Sequence, residues 1–251
     1  MIYFVGAGPG AVDLITVRGK TLLEKADIIV YAGSLVNPEL LSYAKQDCEC
    51  VNSAALTLEQ VIELMVGPAK EGKIVVRLHT GDPSIFGAIR EQMDLLDTYG
   101  LEYEVVPGVS SFFAASAALK AEYTLPDVSQ SVIITRVEGR TPVPPKEQIA
   151  LMASHQATMV IFLSTGLLDK LVEGLLEGGY TADTPAAIVY KASWPDEKVF
   201  RCTVGTIQKT ADENGLAKTA LILIGDFLGD KYERSKLYDP TFTHEYREGS
   251  E

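Results

Sequence analysis

Short runs of β-branched and aliphatic residues alternate with longer stretches in which apolar residues recur every three to four positions. Through the first half of the chain this alternation is the sequence sign of βαβ units and a parallel sheet. It predicts strands at residues 2–5, 28–31, 48–51, 74–78 and 103–106. The second and fourth runs are almost wholly apolar, as strands covered on both faces should be. Between them, Thr57, Leu58, Glu59 and Gln60 form a capping box that opens a helix with Val61, Leu64 and Met65 on one face. Glu71 and Gly72 mark its end.

The second half alternates less regularly, with strands predicted at residues 132–135, 159–163, 186–190, 199–203 and 220–224. The expected fold is α/β in two α/β domains: residues 1–112 with a mainly parallel five-stranded sheet, and residues 131–251 with a mixed sheet. Residues 113–130, containing Pro126 and Asp127, read as the linker region. Residues 140–145 are proline-dense and predict an exposed loop. Residues 232–251 are polar, charged and without a period, which predicts a mobile or partner-dependent tail. No repeat of 20 to 50 residues is visible, which excludes solenoids and propellers.

Composition narrows the function classes. Of 251 residues, 47% are hydrophobic and 22% charged, an ordinary globular balance. The formal charge of -12 argues against a protein that coats nucleic acid or anionic lipid. An anionic ligand must therefore be met by locally clustered cations. Cys48, Cys50 and Cys202 are too few and too badly spaced for a disulfide framework or a four-ligand zinc site, and His79, His155 and His244 are scattered. No metal site is expected. The amino-terminal apolar run lacks a basic flank or cleavage site, and no apolar stretch approaches the ~20 residues of a membrane span. The reading is a soluble, cytoplasmic protein.

Three loops carry the candidate chemistry. Gly6, Ala7, Gly8, Pro9, Gly10 and Ala11 follow the first strand and formally satisfy a dinucleotide fingerprint. Pro9 interrupts the loop, however, and the next helix cap is Asp13 or Thr16, too far on for its amides to meet a pyrophosphate. Thr80, Gly81, Asp82, Pro83, Ser84, Ile85, Phe86 and Gly87 follow the fourth strand. There Asp82 reads either as an acceptor for a ligand amine or hydroxyl or as a helix N-cap ahead of Pro83. Val106, Pro107, Gly108, Val109, Ser110 and Ser111 follow the fifth. Ligands of open α/β sheets bind at the carboxyl ends of strands, so three such loops predict a cleft for a mid-sized ligand. Arg77, His79, Arg90, Lys120, Arg136 and Lys191 lie near these or comparable strand ends. No nucleophile–base arrangement or Walker loop is present, so the reacting groups belong to substrate and cofactor, and no catalytic residue is assigned.

Taken in order, these three loops resemble those of the tetrapyrrole methylase family, with further likeness at residues 158–163, 185–190 and 219–225. The resemblance implies an S-adenosylmethionine-dependent C-methyltransferase, a homodimer, with the cofactor in a cleft between two α/β domains. Carried over by motif, the cofactor contacts are Pro9, Thr80, Gly81, Asp82, Ile85, Ser110, Ser111, Leu163, Ala192, Thr219 and Ala220. Gly8, Gly10, Gly33 and Ser34 would line the trough for a tetrapyrrole substrate.

Within the family, Tyr31, Ala32, Gly33, Ser34, Leu35 and Val36 are similar to the enzymes that methylate carbon 11 of precorrin-4 on the way to cobalamin. Uroporphyrinogen methylases carry an aspartate where this chain has Ala32. They also have a lysine-containing segment where it has Asn52, Ser53 and Ala54. The overall likeness leans to a cobalt-bearing precursor over a metal-free one. Cations among Arg77, Arg90, Lys120, Arg136 and Lys191 are expected to face the substrate's carboxylates. The competing readings are another tetrapyrrole methylase, a diphthine-synthase-like methylase, a nicotinamide-dependent oxidoreductase and a corrinoid carrier.

Overall fold

A computed structural model describes residues 1–250, with Ser34 described by its backbone alone. The chain forms two compact units: Met1–Ala114 with Ala192–Asp196, and Ala115–Lys191 with Glu197 onward.

In the first unit β1 (Ile2–Gly6), β2 (Ile28–Tyr31), β3 (Glu49–Asn52), β4 (Val75–His79) and β5 (Tyr103–Val106) form one sheet in the order β3-β2-β4-β1-β5. Every pairing in it is parallel. Helices α1 (Val17–Lys25), α2 (Leu58–Lys70) and α3 (Ile89–Thr98) supply the crossovers. Apolar side chains from the central strands enter two separate clusters, one with α2 and α3 residues such as Met65 and Leu96, the other with Leu23 of α1 and Leu40. This two-sided burial is why β2 and β4 read as almost wholly apolar runs, while the edge strand β3 is largely exposed. The α2 capping box forms as its sequence predicts, with Thr57 Oγ1 accepting from the Gln60 amide and Gln60 Oε1 from the Thr57 amide. Thr16, not Asp13, caps α1, its hydroxyl accepting from the Gly19 amide.

In the second unit β6 (Val132–Arg136), β7 (Thr158–Phe162), β8 (Pro185–Tyr190), β9 (Lys198–Thr203) and β10 (Ala220–Ile224) are ordered β6-β7-β10-β8-β9. Only β6 and β7 run parallel, so the sheet is mixed. Its core joins Met159, Ile161, Ile188 and Ile222 to Leu171 and Leu175 of α6 (Leu168–Glu177), to Ile149 and Ala153 of α5 (Ile149–Ala153) and to Ile207 of α7 (Ile207–Glu213).

The boundary between the two units, after Ala114, falls within residues 113–130; α4 (Ser111–Leu119) runs into them, and Ala114, Ala115, Leu119 and Tyr123 are buried. The tail carries local hydrogen bonds of its own. Arg247 Nη2 donates to the carbonyls of Leu237 (2.9 Å), Asp239 (2.5 Å) and Phe242 (3.5 Å), and the Ser250 amide returns to Pro240 O (2.8 Å). One guanidinium thus gathers three turns that no periodicity announces. Residues 140–145 form an exposed loop, whose Thr141 and Pro142 carbonyls accept from Arg136.

Candidate functional site

At the carboxyl edge of the first sheet the loops after β1, β4 and β5 meet backbone to backbone. A methyl group added at Gly6 would stand 2.5 Å from Gly108 Cα and 2.6 Å from Gly81 O, and one added at Gly108 would stand 2.2 Å from Gly81 O. All three contacts are closer than any side chain tolerates, so glycine at positions 6 and 108 is a requirement of the approach itself. Gly8 and Gly81 exchange amide and carbonyl bonds across the loops at 3.2 and 2.9 Å, and Gly81 takes φ +60°, the left-handed region. The spacing of glycines in the sequence thus encodes one knot of backbone at three strand ends. Pro9, Thr80, Asp82, Ile85, Ser110 and Ser111 lie on the loops that form it.

One of the two roles the sequence offered Asp82 is removed by the structure. Asp82 does not cap a helix: residues 83–86 form a turn, and α3 starts only at Ile89 after Ala88 at φ +49°. Its Oδ2 accepts from the Gly108 amide at 2.8 Å and its Oδ1 from the Ser84 amide at 2.8 Å and the Ser84 hydroxyl. Partial burial pushes the carboxyl pKa up, but those three donors outweigh it and hold the pKa below the usual range. Asp82 is the ionised clasp between the β4 and β5 loops.

The β1 loop is held by residues far away in sequence. Trp194 Nε1 donates to Pro9 O at 3.0 Å, Ser193 Oγ accepts from the Ala11 amide at 3.0 Å, and Asn37 Nδ2 donates to Gly10 O at 2.8 Å. Asn37 is 6% exposed. Sequence reading placed Ala192 at the site but missed Ser193, Trp194 and Asn37. The one signal available was Trp194 itself, a large side chain in the short connection between two strands.

Beneath the neighbouring loops sits a buried cation. Arg77 on β4 is 6% exposed and donates to Gln92 Oε1 (3.0 Å), Val30 O (3.1 Å) and Ser53 Oγ (3.0 Å). These are all neutral acceptors. Burial lowers its pKa to about 10, which leaves the guanidinium charged at neutral pH. It therefore cannot reach out to a substrate carboxylate as expected. It ties the root of the β2 loop, which carries Gly33 and Ser34, to the β3 loop, whose Ala54 Cβ would stand 3.0 Å from a methyl on Gly33. His79, two residues on and 3% exposed, has an Nε2 without a hydrogen-bond partner among the described residues. Burial first, then the Arg77 charge, lowers its pKa to about 3, so it is neutral.

Three of the other expected cations are engaged elsewhere. Arg90 is exposed and pairs with Asp94 at 2.7 Å, Arg136 binds its own loop, and Lys191 lies over the Tyr190 ring at 5.4 Å. Lys120 is exposed just past α4, at φ +53°.

In the second unit, β10 is antiparallel to both neighbours. Its start therefore lies beside the ends of β7 and β8. The β7 register (Ile222 opposite Ile161), continued by two residues, brings Ala220 opposite Leu163. On the other side Lys191 N donates to Thr219 O at 3.0 Å. Leu163 (φ +53°), Lys191 (φ +45°) and Thr219 (φ +60°) all sit at this one sheet end in the left-handed region, and Leu163 is 65% exposed. A β-branched residue there is a genuine outlier, and such strain gathers where a ligand dictates the backbone. Sequence patterns do not reveal it, because the residues are not glycine.

Comparison with known proteins agrees with this architecture. The sequence profile of the Tetrapyrrole (Corrin/Porphyrin) Methylases matches residues 1–208. The chain is 56% identical to the cobalt-precorrin-4 C(11)-methyltransferase of Methanocaldococcus jannaschii over 247 residues, covering 98% of this chain and 95% of that one. It is 48% identical to the enzyme of the same name from Priestia megaterium, covering 99% and 98%. Among solved structures it is similar to the X-ray structure of a cobalamin biosynthetic enzyme, cobalt precorrin-4 methyltransferase. There the TM-score is 0.89 at 48% identity, over 91% of this chain and 96% of that one. With the family's profile matching residues 1–208 and nearly the whole length shared with these relatives, the chain belongs to the tetrapyrrole methylase family.

Proposed function

We propose that this protein transfers a methyl group from S-adenosylmethionine to carbon 11 of cobalt-precorrin-4, giving cobalt-precorrin-5. The observation that carries the reading is the 56% identity with a cobalt-precorrin-4 C(11)-methyltransferase along 98% of the chain. The residues present fit the cofactor. The knot at Gly6, Gly81 and Gly108 gathers three loops at the carboxyl edge of the sheet, where open α/β sheets take their ligands.

S-adenosylmethionine, when bound, supplies an electrophilic methyl on its sulfonium, and the attacking carbon belongs to the substrate. The chain's own contribution is alignment, which can supply several kcal/mol of barrier reduction. Pro9, Thr80, Gly81, Ile85, Ser110 and Ser111 hold the donor, with Leu163, Ala192, Thr219 and Ala220 as its remaining proposed contacts. Asp82, also a proposed donor contact, keeps the β4 and β5 loops in register. Gly8, Gly10, Gly33 and Ser34 are the proposed substrate contacts. The buried charge of Arg77 favours a polycarboxylated ring above the β2 and β3 loops without a direct contact. The family resemblance also supports a homodimer working in the cytoplasm, which light scattering and cell fractionation test.

Calorimetric titration with S-adenosylhomocysteine, with NADH as control, comes first. Binding of the former and not the latter is the expected result. Incubation with cobalt-precorrin-4 and S-adenosylmethionine should then add the mass of one methyl group. Methylation of metal-free precorrin-4 alone would move the assignment to that substrate, and NADH binding would overturn the methyltransferase reading.

A further inference from the structure

Trp194 is the chain's one tryptophan and lies in Ala192–Asp196, a stretch that packs with the first unit although the residues on either side of it belong to the second. Its indole covers Gly10. A methyl built on that glycine would stand 2.1 Å from Cδ1 and 2.2 Å from Nε1 of the ring. Gly10 is not in the left-handed region, so alanine there meets no backbone strain, and the indole is the obstacle. The same ring donates to Pro9 O, while Ser193, at φ +68°, takes the Ala11 amide. Two consecutive residues of this segment thus hold both flanks of Gly10.

Resting on the methyltransferase reading, we propose that Trp194 is a positioning residue for the methyl-donor site. By filling the space over Gly10 and holding the Pro9 carbonyl, it fixes the β1 loop in its ligand-binding conformation. The absence of a side chain at position 10 is what admits this ring. Pro9 is a proposed donor contact, so a ligand there changes the surroundings of the indole N–H, and Trp194 emission reports occupancy.

The test titrates S-adenosylhomocysteine into the intact protein and its variants, followed by calorimetry and by tryptophan emission, with thermal melts as a control on folding. In the wild type the emission change should saturate with the calorimetric Kd. Trp194→Phe keeps most of the ring but loses one hydrogen bond, and should weaken binding about fivefold with its melting temperature nearly unchanged. Trp194→Ala should weaken it more than tenfold. Gly10→Ala should also weaken binding, yet in the Trp194→Ala background it should cost nothing further, because the collision partner is gone. Wild-type affinity in folded Trp194→Ala, or in Trp194→Phe should the former not fold, would overturn the proposal and leave the methyltransferase reading intact. So would a silent emission in wild-type protein that binds. Failure of the wild type to bind at all takes down both.

Discussion

The Asp82 carboxylate joins two loops by accepting the Gly108 amide on one oxygen and Ser84 on the other. Replacing it by alanine leaves the Gly108 amide without its acceptor, which costs about 1–3 kcal/mol. Asp82→Ala should therefore melt several degrees lower and bind S-adenosylhomocysteine at least tenfold more weakly by calorimetry. His79 makes a different prediction. Its folded pKa, lowered to about 3, lies below the unfolded value near 6.5. Between those pH values the unfolded chain holds a proton that the folded one does not, so stability is complete above pH 6.5 and falls as the solution is acidified. Urea denaturation at pH 7 and pH 4.5 should show a loss of roughly 2–3 kcal/mol, and His79→Leu should remove most of that difference. The residue type and its place at a strand end were legible in sequence, but not the burial that neutralises it. Arg77 shows the same limit: a cation at a strand end looks like a ligand contact until its own neighbours turn out to accept all three of its hydrogen bonds.

Strands and helices were readable wherever one physical signal dominated. β2, β5 and β10 fall where the runs of β-branched residues place them, and the Thr57 capping box starts α2. Elements set by side-chain-to-backbone bonds or by left-handed backbone were not readable. Examples are the turn after Asp82, the start of α3 behind a left-handed Ala88, and the tail turns gathered by Arg247. The glycine loops stand between these cases. Their glycines predict close approach, but not that the approach is to one another. Because the contact is backbone on backbone, it cannot be repacked: Gly108→Ala should destabilise by more than about 2 kcal/mol and abolish S-adenosylhomocysteine binding. Chemical denaturation and calorimetry check this, and a fully active Gly108→Ala protein would show that the three loops are not held as described.

At the scale of the whole molecule the two sheets differ in kind, and the difference was visible in the chain. Doubly buried parallel strands leave long apolar runs, whereas the mixed sheet alternates less regularly. Its strained end was not visible. Thr219→Gly removes a left-handed β-branched residue, a strain of about 1–2 kcal/mol partly offset by the entropy of a new glycine. The variant should melt no lower than the wild type while binding S-adenosylhomocysteine more weakly. The lodging of Ala192–Asp196 in the first unit sets the order in which the protein can be completed. As the chain leaves the ribosome, β1 to β5 are all available before residue 110, yet Pro9 O and the Ala11 amide wait for partners some 180 residues later. The glycine loop therefore matures last, although it is nearly the first segment made. In refolding followed by pulsed hydrogen exchange, the Ala11 amide should gain protection together with β8 and β9 rather than with its own strand.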